Sequence, residues 1–148
     1  MTTVLQVLYV SRIAEGLTDR DIKSILQISR RNNRKLDVTG CLLMPRHYFA
    51  QVLEGDADDV GRLSACVSTD ARHGDYRVVL DRLTSRQYKG WEMGMIQSED
   101  LDDTLEQLLV GNATTALCDA MLIAMHPDSL FLPPEILPSD LCLTPGFE

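Results

Sequence analysis

Four uncharged hydrogen-bonding side chains sit in settings that do not obviously need them. Tyr9 lies in "VLQVLYV", Asn32 and Asn33 in "SRRNN", and Gln51 in "YFAQVLEG". A carboxamide offers two N–H donors and two acceptor lone pairs, and its two ends exchange roles by rotation or tautomerism. A phenol inside an apolar strand needs a partner for its hydroxyl. Together these groups suit a flat heteroaromatic ligand with alternating acceptors and one N–H. Each also has a plainer account: Asn as a helix C-cap, Gln51 at the sheet surface, Trp91 and Met93 as core packing.

Catalytic and metal motifs do not compete with that reading. The sequence holds no G-x-G-x-x-G, P-loop or H-E-x-x-H, and no nucleophile–base pair or anion-binding loop of a small hydrolase is recognisable. His47, His73 and His126 fall on different elements without ligand spacing. Cys41, Cys66, Cys118 and Cys142 form no C-x-x-C pair. No metal and no enzymatic activity are expected. "TDARH" (69–73) places His73 just past a helix C-terminus, where the dipole favours a cation.

The elements that must position these groups follow from periodicity. "VLQVLYV" (4–10) reads as a strand. Thr18 starts a helix, with Asp21 completing a variant capping box; Ile22, Ile25, Leu26 and Ser29 form its stripe, and it ends near "RRNNRKLD". "VTGCLLM" (38–44) is a buried strand, and "PRH" turns it into a hairpin with 48–53. Asp56 or Asp58 caps a second helix with Val60, Leu63 and Val67 inward. "YRVVLDRL" (76–83) and "WEMGMI" (91–96) are the fourth and fifth strands, and the period of two puts Trp91 and Met93 on one face.

The order βαββαββ predicts an α+β, ferredoxin-like fold: a five-stranded mixed sheet with two helices on one face. Two more helices, 100–110 and 113–125, carry leucine and methionine stripes, expected to cover the open face or to pair with another subunit. The proline-rich remainder reads as an extended tail. With the helices side by side, Tyr9, Gln51 and Asn33 would face the gap between them, with Ile25 and Val67 as apolar walls.

Charge divides the chain unevenly. Residues 1–96 hold 14 basic against 12 acidic side chains, whereas 97–148 hold 10 acidic and no basic ones. An acidic C-terminal part repels phosphate backbones and suits a basic partner surface. The N-terminus is no signal peptide, no apolar run is long enough to cross a bilayer, and the cysteine usage fits a reduced, cytoplasmic protein.

In register, "LYVSR", "SRRNNRKLDVTGCLL", "FAQVLEG", "TDARH" and "WEMG" resemble the BLUF domains, flavin-binding sensors of blue light, from about residue 4 to about residue 96. The resemblance implies a photoreceptor of the short, single-domain type. Tyr9 would be the light-driven electron and proton donor, and Gln51 would lie between it and the flavin. Asn33 and Asn32 would meet the ring system, and Asp70, Arg72 and His73 its pyrimidine side and ribityl chain. Trp91 and Met93 would report the switch outward, either one facing the flavin. Cys66 stands where many relatives carry a basic residue, Ala50 where a larger apolar residue is usual, and Val38 where isoleucine is usual. The first of these leaves FAD, FMN and riboflavin open, FAD being the expectation. The implied organisation is a flavin domain over 1–96, a helical extension over 97–126 and a proline-rich acidic tail over 127–148. With no output enzyme on so short a chain, output would pass through a partner protein or a homo-oligomer. The alternative is a flavin-free interaction module of the same fold.

Overall fold

The structure is a computed structural model that describes residues 3–44, 46–96, 101–111 and 114–125. His126 and the proline-rich tail, Cys142 included, lie outside the described residues. The elements are β1 (Thr3–Ile13), α1 (Asp19–Leu36), β2 (Thr39–Leu43), β3 (Tyr48–Gly55), α2 (Ala57–Ser68), β4 (His73–Ser85), β5 (Gly94–Ile96), α3 (Asp102–Leu109) and α4 (Thr115–Met125).

The sheet runs β4-β1-β3-β2-β5. Its ladders are antiparallel except β2 with β5, so it is mixed. This is the expected ferredoxin-like α+β architecture. β1 lies between β4 and β3, and β3 holds the centre.

Alternation along the strands separates two apolar layers. Val7, Leu42, Phe49 and Leu53 meet Ile22 and Leu26 of α1 and Val60 of α2. Leu8, Val10, Cys41, Leu43 and Val52 point the other way, onto Leu105 and Leu108 of α3 and Met121 and Met125 of α4. The last two helices therefore cover the sheet's open face. Among the described residues no helix is long and apolar enough to cross a membrane.

Local chemistry sets the first helix. Thr18 accepts from the Asp21 backbone N–H, and the Asp21 carboxylate accepts from the Thr18 N–H, a reciprocal cap. The C-terminal boundary falls within the expected "RRNNRKLD" stretch, but not at its asparagines. Asn32 and Asn33 do not end the helix, which continues through Arg34 and Lys35 to an Asp37 cap at φ 54°. A short polar side chain tolerates that left-handed conformation, and basic residues in the last turn favour continuation.

The fifth strand is also shorter than expected. Trp91 and Met93 precede β5 and take opposite sides: Met93 is in the α1/α2 layer and Trp91 packs toward the α3/α4 layer. The period of two holds only where the backbone is a strand. Here the chain folds back, so that a Cβ on Gly94 would lie 2.0 Å from the Trp91 ring. Trp91 instead lies against Tyr88, ring centres 6.3 Å apart and planes inclined at 57°.

Candidate functional site

β1 and β3 place Tyr9 directly opposite Gln51. On its other side β1 carries a register shift against β4 between Leu8 and Tyr9, a bulge of the kind that re-aims a side chain. Both groups project toward the helical layer and are nearly inaccessible, Tyr9 at 3% and Gln51 at 4%.

There they form the floor of a cleft of about 170 Å³ between α1 and α2. Phe49, Leu42 and Leu53 complete that floor. Ile25, Ser29, Asn32 and Asn33 line it from α1, Leu63, Cys66 and Val67 from α2, and Asp70, Arg72 and His73 from the segment that follows. Nine of the eleven residues singled out in the sequence thus surround one cavity. Met93 touches it through Gln51. Trp91 is not brought there.

The polar geometry is directional. The Tyr9 hydroxyl donates to Gln51 Oε1, and Gln51 Nε2 donates to Met93 Sδ at 3.3 Å. One end of the amide is well paired and the other rests on a thioether, a weak acceptor. Burial, then the neighbouring Tyr76 and Asp70, raises the Tyr9 phenol well above its ordinary pKa, so the hydroxyl stays protonated and donating near neutral pH. The Tyr76 ring lies 4.6 Å from that of Tyr9.

At the cleft's rim, Arg72 Nη2 lies 2.6 Å from Asp70 Oδ2, and these hydrogen bonds hold the Asp70 carboxyl below its usual value. His73 Nε2 meets the Val67 carbonyl and Nδ1 meets Ser11 Oγ, each at 2.6 Å. A carbonyl only accepts, so Nε2 carries the proton. The ring ties the last turn of α2 to β1, in keeping with its expected place at that helix end.

The donor set suits a planar heteroaromatic such as a flavin. Apolar residues from the sheet and both helices flank the space, while the carboxamides of Asn32, Asn33 and Gln51 offer donors and acceptors along it. Asn33 spends one amide proton on the Glu92 carbonyl at 2.6 Å and retains acceptor capacity. Cys66 lies at an exposed position on the cleft wall.

Over residues 4–94 the chain matches the family model described as sensors of blue-light using FAD. The chain belongs to the BLUF family. Among curated relatives, this BLUF chain is 30% identical over 115 residues to the photoactivated adenylate cyclase subunit beta of Euglena gracilis, covering 72% of this chain and 13% of that protein. It is 30% identical over 111 residues to the blue light- and temperature-regulated antirepressor BluF of Escherichia coli (strain K12), covering 72% of this chain and 26% of that one. The chain therefore corresponds to a minor part of each. Among solved structures, the dark state of BlrB, a BLUF protein, superposes with TM-score 0.68 at 26% identity, over 82% of this chain and 93% of that chain. The photo-activated state of BlsA gives TM-score 0.70 at 21% identity and shares the fold.

Some contacts escaped the sequence reading. Leu42, Phe49, Leu53 and Leu63 read only as core. Arg30 and Glu92 were not singled out, yet Arg30 Nε donates to the Met93 carbonyl at 2.9 Å. One signal was available: Arg30 falls four and eight residues after Leu26 and Ile22, a cation on the apolar stripe.

Proposed function

We propose that this chain is a cytoplasmic blue-light photoreceptor that holds a flavin, FAD by family, in the cleft between α1 and α2. The observation that supports this most is the buried chain Tyr9–Gln51–Met93 on the cleft floor. Asn32 and Asn33 would hold the ring's polar edge, Ile25 and Val67 its faces, and Asp70, Arg72 and His73 the side that leads to the ribityl chain. Bound there, a flavin supplies blue absorption and an excited state that takes up an electron and a proton.

The residues do the rest. Tyr9 would be the donor to a flavin bound there. Its proton would leave along the bond to Gln51 Oε1, the acceptor already in place, and Tyr9 would later take electron and proton back. Gln51 emerges with carbonyl and amino ends exchanged, by rotation or tautomerism. Its Nε2 gives up Met93 Sδ, a neutral bond worth roughly 0.5–1.5 kcal/mol at most, so the dark arrangement is easily left. Met93 is thereby released just before β5, and a bias of about 1–3 kcal/mol on that segment suffices for a signal.

Output runs through β5 and the C-terminal helices, residues 97–126, to a partner protein or a second copy. The β2–β3 hairpin carries polar links toward α3: Tyr48 Oη donates to Glu106 Oε1 at 3.0 Å, and Asp102 accepts from the Arg46 and His47 backbone N–H groups. Residues 1–96 form the sensor on this reading, and 127–148 are an acidic tail suited to a basic partner. Purified protein tests the proposal by its cofactor. A yellow sample that releases FAD on denaturation, with a reversible light-driven red shift, is expected. A colourless sample that takes up none of FAD, FMN or riboflavin leaves the flavin-free interaction module instead.

A further inference from the structure

We propose that Arg30 is a positioning residue for the light reaction, acting on Gln51 through Met93; the inference rests on the photoreceptor reading and deepens it.

Three successive carbonyls just before β5 are taken up from outside the sheet ladder's regular run. Trp91 O accepts from the Gly40 N–H at 2.9 Å, Glu92 O from Asn33 Nδ2 at 2.6 Å, and Met93 O from Arg30 Nε at 2.9 Å. Two of these three donors are side chains on the inner face of α1. Arg30 is only 9% exposed, so its guanidinium is committed to the interior. A charge-assisted bond is roughly twice as strong as a neutral one, and this one falls on the residue whose sulfur meets the amide.

Met93 is fully buried, and its Sδ is the acceptor for Gln51 Nε2. A methionine side chain has three rotatable bonds and a soft, weak acceptor. It selects one end of an amide only if its backbone is fixed in place. Arg30 fixes the carbonyl, the backbone fixes the sulfur, and the sulfur selects the amino end of Gln51. With the Tyr9 hydroxyl on Oε1, the amide is held at both ends. Lysine retains a charged donor without the guanidinium's planar fork, so it substitutes in part.

The test is a double-mutant cycle in the full chain labelled at its methionine methyl groups. Arg30→Met and Arg30→Lys are each made alone and with Met93→Leu, whose missing signal assigns Met93. Arg30→Met is expected to move the Met93 methyl resonance in flavin-loaded and flavin-stripped protein alike. In the loaded protein it changes the dark-recovery rate by at least about tenfold, the scale of one charge-assisted hydrogen bond. Arg30→Lys restores most of that change. On Met93→Leu, where the sulfur is gone, Arg30→Met alters recovery by less than about twofold, since coupled sites lose their mutual effect when the link is removed. If Arg30→Met does not fold, Arg30→Lys carries the same cycle with a smaller ratio. An unmoved Met93 resonance, or the same recovery ratio in both backgrounds while wild type switches, overturns the proposal alone. A flavin-loaded wild type with no light-driven shift overturns the photoreceptor reading and this proposal with it.

Discussion

The Tyr9–Gln51 contact should be measurable as an energy before any light is used. Both side chains are nearly inaccessible, and each is the other's hydrogen-bond partner. Tyr9→Phe leaves Gln51 Oε1 without its donor, and Gln51→Leu leaves the Tyr9 hydroxyl without its acceptor. Each stranded buried group costs about 1–3 kcal/mol. Removing both partners strands nothing, so the double variant should recover about 1–2 kcal/mol relative to the sum of the singles. Loss of the Met93 contact occurs in Gln51→Leu and in the double variant alike, and cancels. The assay is urea unfolding of flavin-stripped protein followed by the single tryptophan, Trp91, which packs near Tyr88 toward the α3/α4 layer, away from the pair. With a slope of about 2 kcal/mol per molar urea, the coupling is a midpoint difference of about 0.5–1 M. Additive single effects would show that the phenol and the amide are not partners, and the proton route argued above would lose its basis.

Three further outcomes follow from the same geometry. Glu54 is fully buried and accepts from Gln6 Nε2 and from the backbone N–H groups of Gln87 and Tyr88; Glu54→Gln puts an amide against those donors and should lower urea stability by about 2–3 kcal/mol, whereas an unchanged midpoint would contradict the network. Asp70 is held below its ordinary value of 3.8 chiefly by the hydrogen bond from Arg72. A depressed folded-state pKa contributes stability that is complete above that ordinary value and is lost as pH falls through the folded value. Stability-against-pH curves of wild type and Asp70→Asn should therefore run parallel above about pH 5 and converge below about pH 4, and curves parallel throughout would refute the pairing. Gly61 lies in α2 with open space where a Cβ would go, so Gly61→Ala should stabilise by about 0.5–1 kcal/mol in urea unfolding; destabilisation would mean the helix is displaced there.

Much of this arrangement is legible in the residues because it rests on local patterns. Thr18 with Asp21 announces a helix start, and Ile22, Leu26 and Val60 announce inward faces. Alternation along 48–55 puts Gln51 on the same side as Phe49 and Leu53. Tyr9 and Gln51 stand out because an uncharged polar group in an apolar strand must find a partner. What lay hidden depends on contacts distant in sequence. Trp91 and Met93 separate because the 91–93 carbonyls are bonded by Gly40, Asn33 and Arg30, and no pattern within "WEMGMI" reveals those donors. The place of the asparagines on α1 was hidden for a different reason. Two asparagines favour a helix end, but Arg34, Lys35 and Leu36 continue it and Asp37 takes the left-handed cap. The same asparagines are thereby turned along the helix wall into the cleft.

The most direct test of the central claim is a light-minus-dark absorption spectrum of the flavin-loaded wild type beside Tyr9→Phe. The account predicts a reversible red shift in wild type. In Tyr9→Phe it predicts bound flavin and no shift. A shift of full size in Tyr9→Phe would show that neither the electron nor the proton comes from that phenol.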